Sequence, residues 1–271
     1  MQSRSVIIYV ITFSVSIIAA CYSRNAAQTP GKWASLFNGR NLDDWIVKIH
    51  HHDVGENFGN TFRVEDDIIK VRYDKYGDFN EQFGHLYYKT PFSHFHLKLQ
   101  YRFTGQWVKT APSYTLRNSG VMFHSQDPHT MPKEQDWPIS VEMQFLGGLG
   151  DGKPRSTGNM CSPGTEVMQK GKMIASHCIN SSSKTYDGEQ WVNAELIVLG
   201  DSLITHIING DTVLQYSKPQ IGGGVVHRYD PKIKIDGKLL SSGFIALQSE
   251  GQEIDFRNIS IKVLSNRYNK K

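Results

Sequence analysis

From Phe95 to Phe103 the chain alternates without a break: Phe95, Leu97, Leu99, Tyr101 and Phe103 are apolar, and His96, Lys98, Gln100 and Arg102 come between them. Successive side chains of a strand point to opposite faces, so this period of two predicts a strand with one face in a core and the other in water. No run of twelve or more residues shows the period of an amphipathic helix. Shorter strands are predicted at Thr61 to Val64, Ile68 to Tyr73, His85 to Tyr88, Ser119 to Ser125, Ile139 to Leu146, Trp191 to Leu199, Leu203 to Ile208, Thr212 to Tyr216, Gly243 to Gln248 and Ile254 to Val263. Gly200-Asp201 and Asn209-Gly210 join three of these as hairpins, because both dipeptides accept the positive φ of a tight turn. Many short strands divided by turn residues predict an all-β sandwich or jelly roll.

Two stretches do not fit that pattern, Gly105 to Arg117 and Gly147 to Gln190, the second rich in Gly, Pro, Ser and Thr. Loops of this length in a compact domain are usually functional, and they are expected to wall a site.

The N-terminus reads as an address. Arg4, an apolar run from Val6 to Ile18, and Ile18-Ala-Ala-Cys21 follow the order of a secretory signal whose end resembles a bacterial lipobox. The apolar run is shorter than the roughly 20 residues that span a bilayer. Residues 1–20 are therefore predicted to be removed, Cys21 to be acylated, residues 21–32 to form a tether, and residues 33–271 to form one domain exported to the periplasm or outer-membrane surface. The alternative is an ordinary cleavage site with an incidental Cys. With Cys21 acylated, Cys161 and Cys178 are left to form a disulfide in an oxidising compartment or to stay as two buried thiols. Lys and Arg number 30 against 26 Asp and Glu, scattered without a basic stripe, so nucleic acid is not an expected partner.

Alternation also places polar residues together. In Gly120-Val-Met-Phe-His-Ser-Gln126 it puts Met122, His124 and Gln126 on one face; in Ser140-Val-Glu-Met-Gln-Phe145 it groups Ser140, Glu142 and Gln144; Gly243 to Glu250 repeats the pattern with Gln248 and Glu250. Three such strands could line one concave surface.

Several motifs in order carry a resemblance: Ser35-Leu-Phe-Asn-Gly-Arg-Asn-Leu-Asp-Asp-Trp45, Asn118-Ser-Gly120, Glu142-Met-Gln144, Trp191-Val-Asn193, Asn209-Gly210, Ile245-Ala-Leu-Gln248 and Asp255-Phe-Arg-Asn-Ile259. Together they resemble the 3-keto-disaccharide hydrolase domain family across nearly all of Trp33 to Leu264. The resemblance implies a concanavalin A-like jelly roll of two antiparallel sheets, acting on glycosides already oxidised to a ketone at sugar C3, with eliminative, metal-assisted cleavage. His124 and Ser125 stand where the wider family has Arg, and His50, His51, His52 and His85 add imidazoles, as in a His-rich subgroup similar to 3-keto-glucoside 1,2-lyases.

The chemistry constrains the roles. Concanavalin-like retaining glucanases carry Glu-x-Asp-x-x-Glu, and the same register here reads Glu142-x-Gln144-x-x-Gly147, without the second carboxylate. A 3-keto sugar needs only a base for its acidified C2 hydrogen, an oxyanion stabiliser and an acid for the leaving oxygen. A divalent metal held by imidazole and carboxylate would be a suitable Lewis acid. His85, His124 and Glu142 are the expected catalytic residues and metal ligands, and Asn57, Gln126, Gln144, Asn159, Gln248 and Glu250 the expected substrate contacts. Trp107, Tyr114 and Trp137 are either sugar platforms or loop anchors; His50 to His52 are read as solvated, with a metal or substrate role as the alternative. A small glycoside and, through the lipid, a membrane are the expected partners. A non-catalytic glycan-binding module and a conventional glucan hydrolase stay open beside the lyase.

Overall fold

The structure, a computed structural model, describes residues 29–174 and 176–265, and Cys21 lies outside them. Two antiparallel sheets pack face to face as a jelly roll. The back sheet runs in the order β11 (Lys172–Ile174), β10 (Thr165–Gln169), β15 (Asp211–Ile221), β14 (Leu203–Ile208), β13 (Val192–Leu199), β6 (His94–Trp107), β17 (Gln252–Val263), β4 (Ile68–Val71) and β3 (Phe62–Glu65), with β1 (Trp33–Ser35) also on β17. The front sheet runs β12 (Cys178–Ile179), β9 (Asn159–Cys161), β8 (Val141–Leu146), β7 (Asn118–Ser125), β16 (Phe244–Ser249), β5 (Gly84–Tyr88) and β2 (Trp45–Ile49).

The alternating strand is the keel. β6 lies between β13 and β17, and its Phe95, Leu97, Leu99, Tyr101 and Phe103 are all buried while the residues between them are half-buried. Across the core Tyr101 stacks on Phe145 of β8 with ring centroids 4.0 Å apart, a contact that contributes about 1 kcal/mol beyond area burial. The hairpins form as expected, with Gly200 at φ 57°, Asn209 at 48° and Gly210 at 92°.

The front sheet differs in kind. Every residue of β5 and β7 is buried, because the core covers one face and loops cover the other. That covered outer face is where a cleft forms.

Two expectations change. The stretch Gly147 to Gln190 is not one loop: it holds β9 to β12, which extend the front sheet through β9 and β12 and the back sheet through β10 and β11. These strands are two to five residues long, too short to show a period. β2, Trp45-Ile-Val-Lys-Ile49, is a mostly apolar run without alternation and is not among the expected strands. Cys161 and Cys178 are direct partners across β9 and β12 and are joined as a disulfide, which sets aside the free thiols.

The second change is a bulge. Phe244 pairs with Ser125 but Ala246 with Met122, so β7 carries an extra residue, and His124 adopts φ 46° to absorb it. Opposite it a Cβ on Gly243 would lie 2.3 Å from the His124 carbonyl carbon, so only glycine fits there. The alternation that put His124 on the face of Met122 and Glu142 therefore breaks before His124.

Candidate functional site

Register assembles the cleft face of the front sheet. Lys48 pairs with His85 and His85 with Gln248; beyond them Gly120 pairs with Gln144 and Gln144 with Asn159. One step along, Met122 pairs with Glu142, Glu142 with Cys161, and Cys161 with Cys178. The Glu142 side chain lies over Gly120, where a Cβ would come within 2.4 Å of its Oε1. Any larger residue at position 120 would push the carboxylate away.

Above this face is a cleft of about 540 Å³ whose floor and far wall include Asn118, Glu142, Gln144, Gln248 and Glu250. The two long stretches do wall it: Tyr114 comes from the first, and Arg155, His177 and Cys178 from the second. Trp137 closes another side, between β7 and β8. Oxygens of four buried side chains, Asn118 Oδ1, Glu142 Oε1, Gln248 Oε1 and Glu250 Oε2, have no hydrogen-bond partner. Buried acceptors without donors are costly, and a cluster of them in one cleft is suited to a ligand that brings hydroxyl hydrogens.

The two carboxyl groups are electrostatically unusual. Burial pushes Glu142 up to about 8. Glu250 is held well above the usual carboxylate range by burial first and by the nearby Glu142 charge second, with Arg155 acting against both. Arg155 is itself fixed, donating to the backbone carbonyls of Arg117, Gly147 and Leu116. A raised carboxyl beside a cation in a cleft is a frequent mark of acid–base chemistry.

His85 is fully buried with both ring nitrogens unpartnered, its ring edge-on to Trp137 at 5.6 Å. Burial, and then the Lys48 charge, lower it to about 3, so it is a neutral imidazole. Lys48 is lowered to about 8 by burial and donates to the carbonyls of Ile49, His52 and Lys133. His85 sits one strand from Gln248, outside the cleft lining and beside Trp137.

The structure separates several residues that the pattern grouped. His124, turned by the bulge, sends Nε2 to 3.0 Å from the Gly200 carbonyl in the β13–β14 turn and borders a different cavity. Gln126 borders that same cavity and braces its loop: its Oε1 accepts from Gln135 and Ile139. Asn57 closes a turn by exchanging bonds with the Phe62 backbone. Asn159 donates to Gln144 Oε1 and accepts from Ser181, which orients Gln144 from behind. Of the expected contacts, Gln144, Gln248 and Glu250 line the cleft with Glu142. Trp107 anchors its own loop through a bond to Thr115.

A metal held by His85, His124 and Glu142 does not fit. His124 is turned away from the cleft, and the three are not among the described His, Cys, Asp and Glu groups whose ligand atoms converge. His177 lies against Cys161 and Cys178, whose sulfurs are committed to the disulfide. Arg155 and the partnership of Glu250 with Glu142 escaped the sequence. An arginine in a Gly- and Ser-rich stretch has no period to place it, and Glu142 and Glu250 meet only through strand order.

Comparison with known proteins agrees with this architecture. The family described as 3-keto-alpha-glucoside-1,2-lyase-like domain matches residues 32–262. Two solved structures of proposed glycosyl hydrolases from Parabacteroides distasonis are similar. One is 17% identical with a TM-score of 0.52, covering 86% of this chain and 94% of its own. The other is 20% identical with a TM-score of 0.52, covering 86% and 100%. At these identities the likeness is one of fold. Among curated proteins none matches the sequence.

Proposed function

The chain belongs to the 3-keto-alpha-glucoside-1,2-lyase-like domain family, which makes it a carbohydrate-active protein, and from that premise we propose that its cleft cleaves 3-keto-glycosides by β-elimination across C1 and C2. One observation carries the reading: Glu142 and Glu250 are two buried carboxyls with unpartnered oxygens in one cleft, neither at its ordinary acidity. The second carboxylate missing from the β8 register comes instead from the end of β16.

The chemistry divides between them. Ionised Glu142 takes the C2 hydrogen, which the C3 ketone has acidified, and the electron pair moves toward the ketone oxygen as an enolate. Glu250, held above the usual carboxylate range by burial and by the Glu142 charge, keeps its proton and delivers it to the C1 oxygen as the C1–O bond breaks. Arg155 supplies positive charge in the same cleft, and the amides of Gln144 and Gln248 are placed to hold sugar hydroxyls. As the enolate collapses the C3 ketone re-forms and a double bond is left between C1 and C2, so the products are a 1,2-unsaturated 3-keto sugar and the free aglycone alcohol. Water adding to the unsaturated sugar would give 3-ketoglucose, the net result of hydrolysis. No step runs through a metal, because the residues expected to hold one do not converge.

The disulfide between Cys161 and Cys178 supports the export reading of the N-terminal signal and Cys21, since such bonds persist in oxidising compartments. Metabolic labelling with a radiolabelled fatty acid checks it: label is expected in the chain and absent from Cys21→Ser.

The test of the reaction is to incubate a 3-keto-glucoside with the protein in heavy water and follow the products by mass. Deuterium at C2 and an unsaturated sugar intermediate are expected. Cleavage without any C2 exchange would overturn elimination, and binding without cleavage would make the chain a glycan-binding module.

A further inference from the structure

We propose that the end of the sandwich nearest Cys21 along the chain rests on an anionic phospholipid surface, through the loop Lys232-Ile-Lys-Ile-Asp-Gly-Lys-Leu-Leu240 and the neighbouring β13–β14 turn. With Cys21 acylated, the reading on which this surface rests, this end is the one held close to lipid. Gly31 stands ten positions beyond Cys21, at most about 36 Å of fully extended chain.

Hydrogen bonds gather the parts of this end. Gly31 N donates to the Val263 carbonyl at 2.8 Å, and Leu264 N donates to the His94 carbonyl at 2.9 Å, so Gly31 lies one strand from the start of β6. His94 pairs in turn with Leu199, which brings the β13–β14 turn alongside. Lys218 N donates to the Asp201 carbonyl of that turn at 2.7 Å. The loop closes over the same end: Leu239 bridges to Gln220 near the end of β15, and the Ser241 carbonyl accepts from the Ser93 hydroxyl at 2.6 Å.

Two chemistries meet there. Ile233 and Leu240 pack against the core, whereas Ile235 and Leu239 are 56% and 49% exposed on either side of a turn at Gly237, φ 83°. Leu203 beside the β13–β14 turn is exposed too. Around these apolar tips stand Lys32, Lys218, Lys232 and Lys238, all exposed and without an ion-pair partner among the described residues. Of the carboxylates nearby, Asp236 is paired with Lys234 at 2.6 Å, which leaves Asp201 and Asp230 against the four lysines. Apolar side chains that enter the headgroup boundary, beside cations that stay at the phosphates, are what hold a peripheral surface on an anionic bilayer. Lysine stems can cover apolar surface while their ammonium groups reach the headgroups.

Hydrogen exchange of the full chain, followed by mass, tests this on vesicles of phosphatidylcholine with and without phosphatidylglycerol. Slower exchange is expected at residues 200–203 and 232–240 with phosphatidylglycerol only, and no change at residues 149–153, which follow β8 at the opposite end. Salt at about 1 M, where the Debye length is about 3 Å, should abolish the slowing. Lys232→Gln and Lys238→Gln should each raise the phosphatidylglycerol needed for half protection about fivefold. Exchange unaffected by phosphatidylglycerol, equal slowing on phosphatidylcholine alone, or full protection in the doubly substituted chain would overturn the surface. Slowing that grows with protein concentration in the absence of lipid would also overturn it, and would make this end a contact between two copies. Protection in a chain found to carry no fatty acid would keep the surface and remove the anchor, whereas an acylated chain left unprotected at 232–240 would keep the anchor and remove the surface.

Discussion

Asp255 in the back sheet and Glu142 in the front sheet are both buried carboxyl groups on β-strands, in opposite circumstances. Asp255 Oδ1 accepts from Arg72 at 2.6 Å and Oδ2 from Arg102 at 2.6 Å. Glu142 Oε1 accepts from nothing, and neither does Oε2 of the neighbouring Glu250. The histidines repeat the contrast. His206 of β14 has a partner for each nitrogen, the Gly158 carbonyl at 2.9 Å and the Tyr216 hydroxyl at 2.8 Å, whereas His85 of β5 has none. A scaffold satisfies its buried polar groups internally; a binding face leaves them for the ligand. Among the described residues, the buried side-chain oxygens without a partner all lie on the front sheet or at its end.

The contrast breaks most visibly if Glu142 proves structural. Glu142→Gln and Glu250→Gln are each expected to lower turnover of a 3-keto-glucoside by about 10²–10⁴, with Tm unchanged or raised. A Tm that fell with activity would mean that the cleft carboxyls hold the fold. Asp255→Asn should do the reverse, removing about 3–5 kcal/mol of stability in urea unfolding by stranding two arginines.

A pH series sharpens the comparison. Glu142 is raised from its ordinary 4.5 to about 8, so its contribution to stability is full below about 4.5 and is lost as pH rises through about 8. His85 is lowered from 6.5 to about 3, so its contribution is present above 6.5 and is lost as pH falls through about 3. Urea unfolding is expected to show stability declining by about 1–3 kcal/mol between pH 5 and pH 8.5, a limb that Glu142→Gln flattens.

The smallest effect separates the two histidines. His206→Phe leaves a carbonyl and a hydroxyl unpaired and should cost about 1–3 kcal/mol, whereas His85→Phe removes a ring that pairs with nothing and should cost under about 1 kcal/mol in urea unfolding.

Much of this was legible in the sequence. Alternation in Phe95 to Phe103 identified the keel strand, and polar alternation correctly put Glu142, Gln144, Gln248 and Glu250 on one surface. Reading failed wherever a distant residue decided the outcome. His124 left its expected face because β7 bulges against Gly243, more than a hundred positions away. Gln126 and Asn57 have the chemistry of ligand contacts but spend it on loops. The run His50 to His52, read as solvated, is tied down residue by residue, with His52 held by Glu56 and Gln82.

The sequence by itself determined the class of fold, because a period of two allows one regular structure and hydrophobic burial then requires a second layer. It also determined the identity of the turns, since Gly and Asn at positive φ are local choices. Only the tertiary structure decided which polar groups go unsatisfied. That depends on whether strand order and loop packing bring a donor to each acceptor, and Glu142 and Glu250, 108 positions apart, share a cleft in which packing brought none.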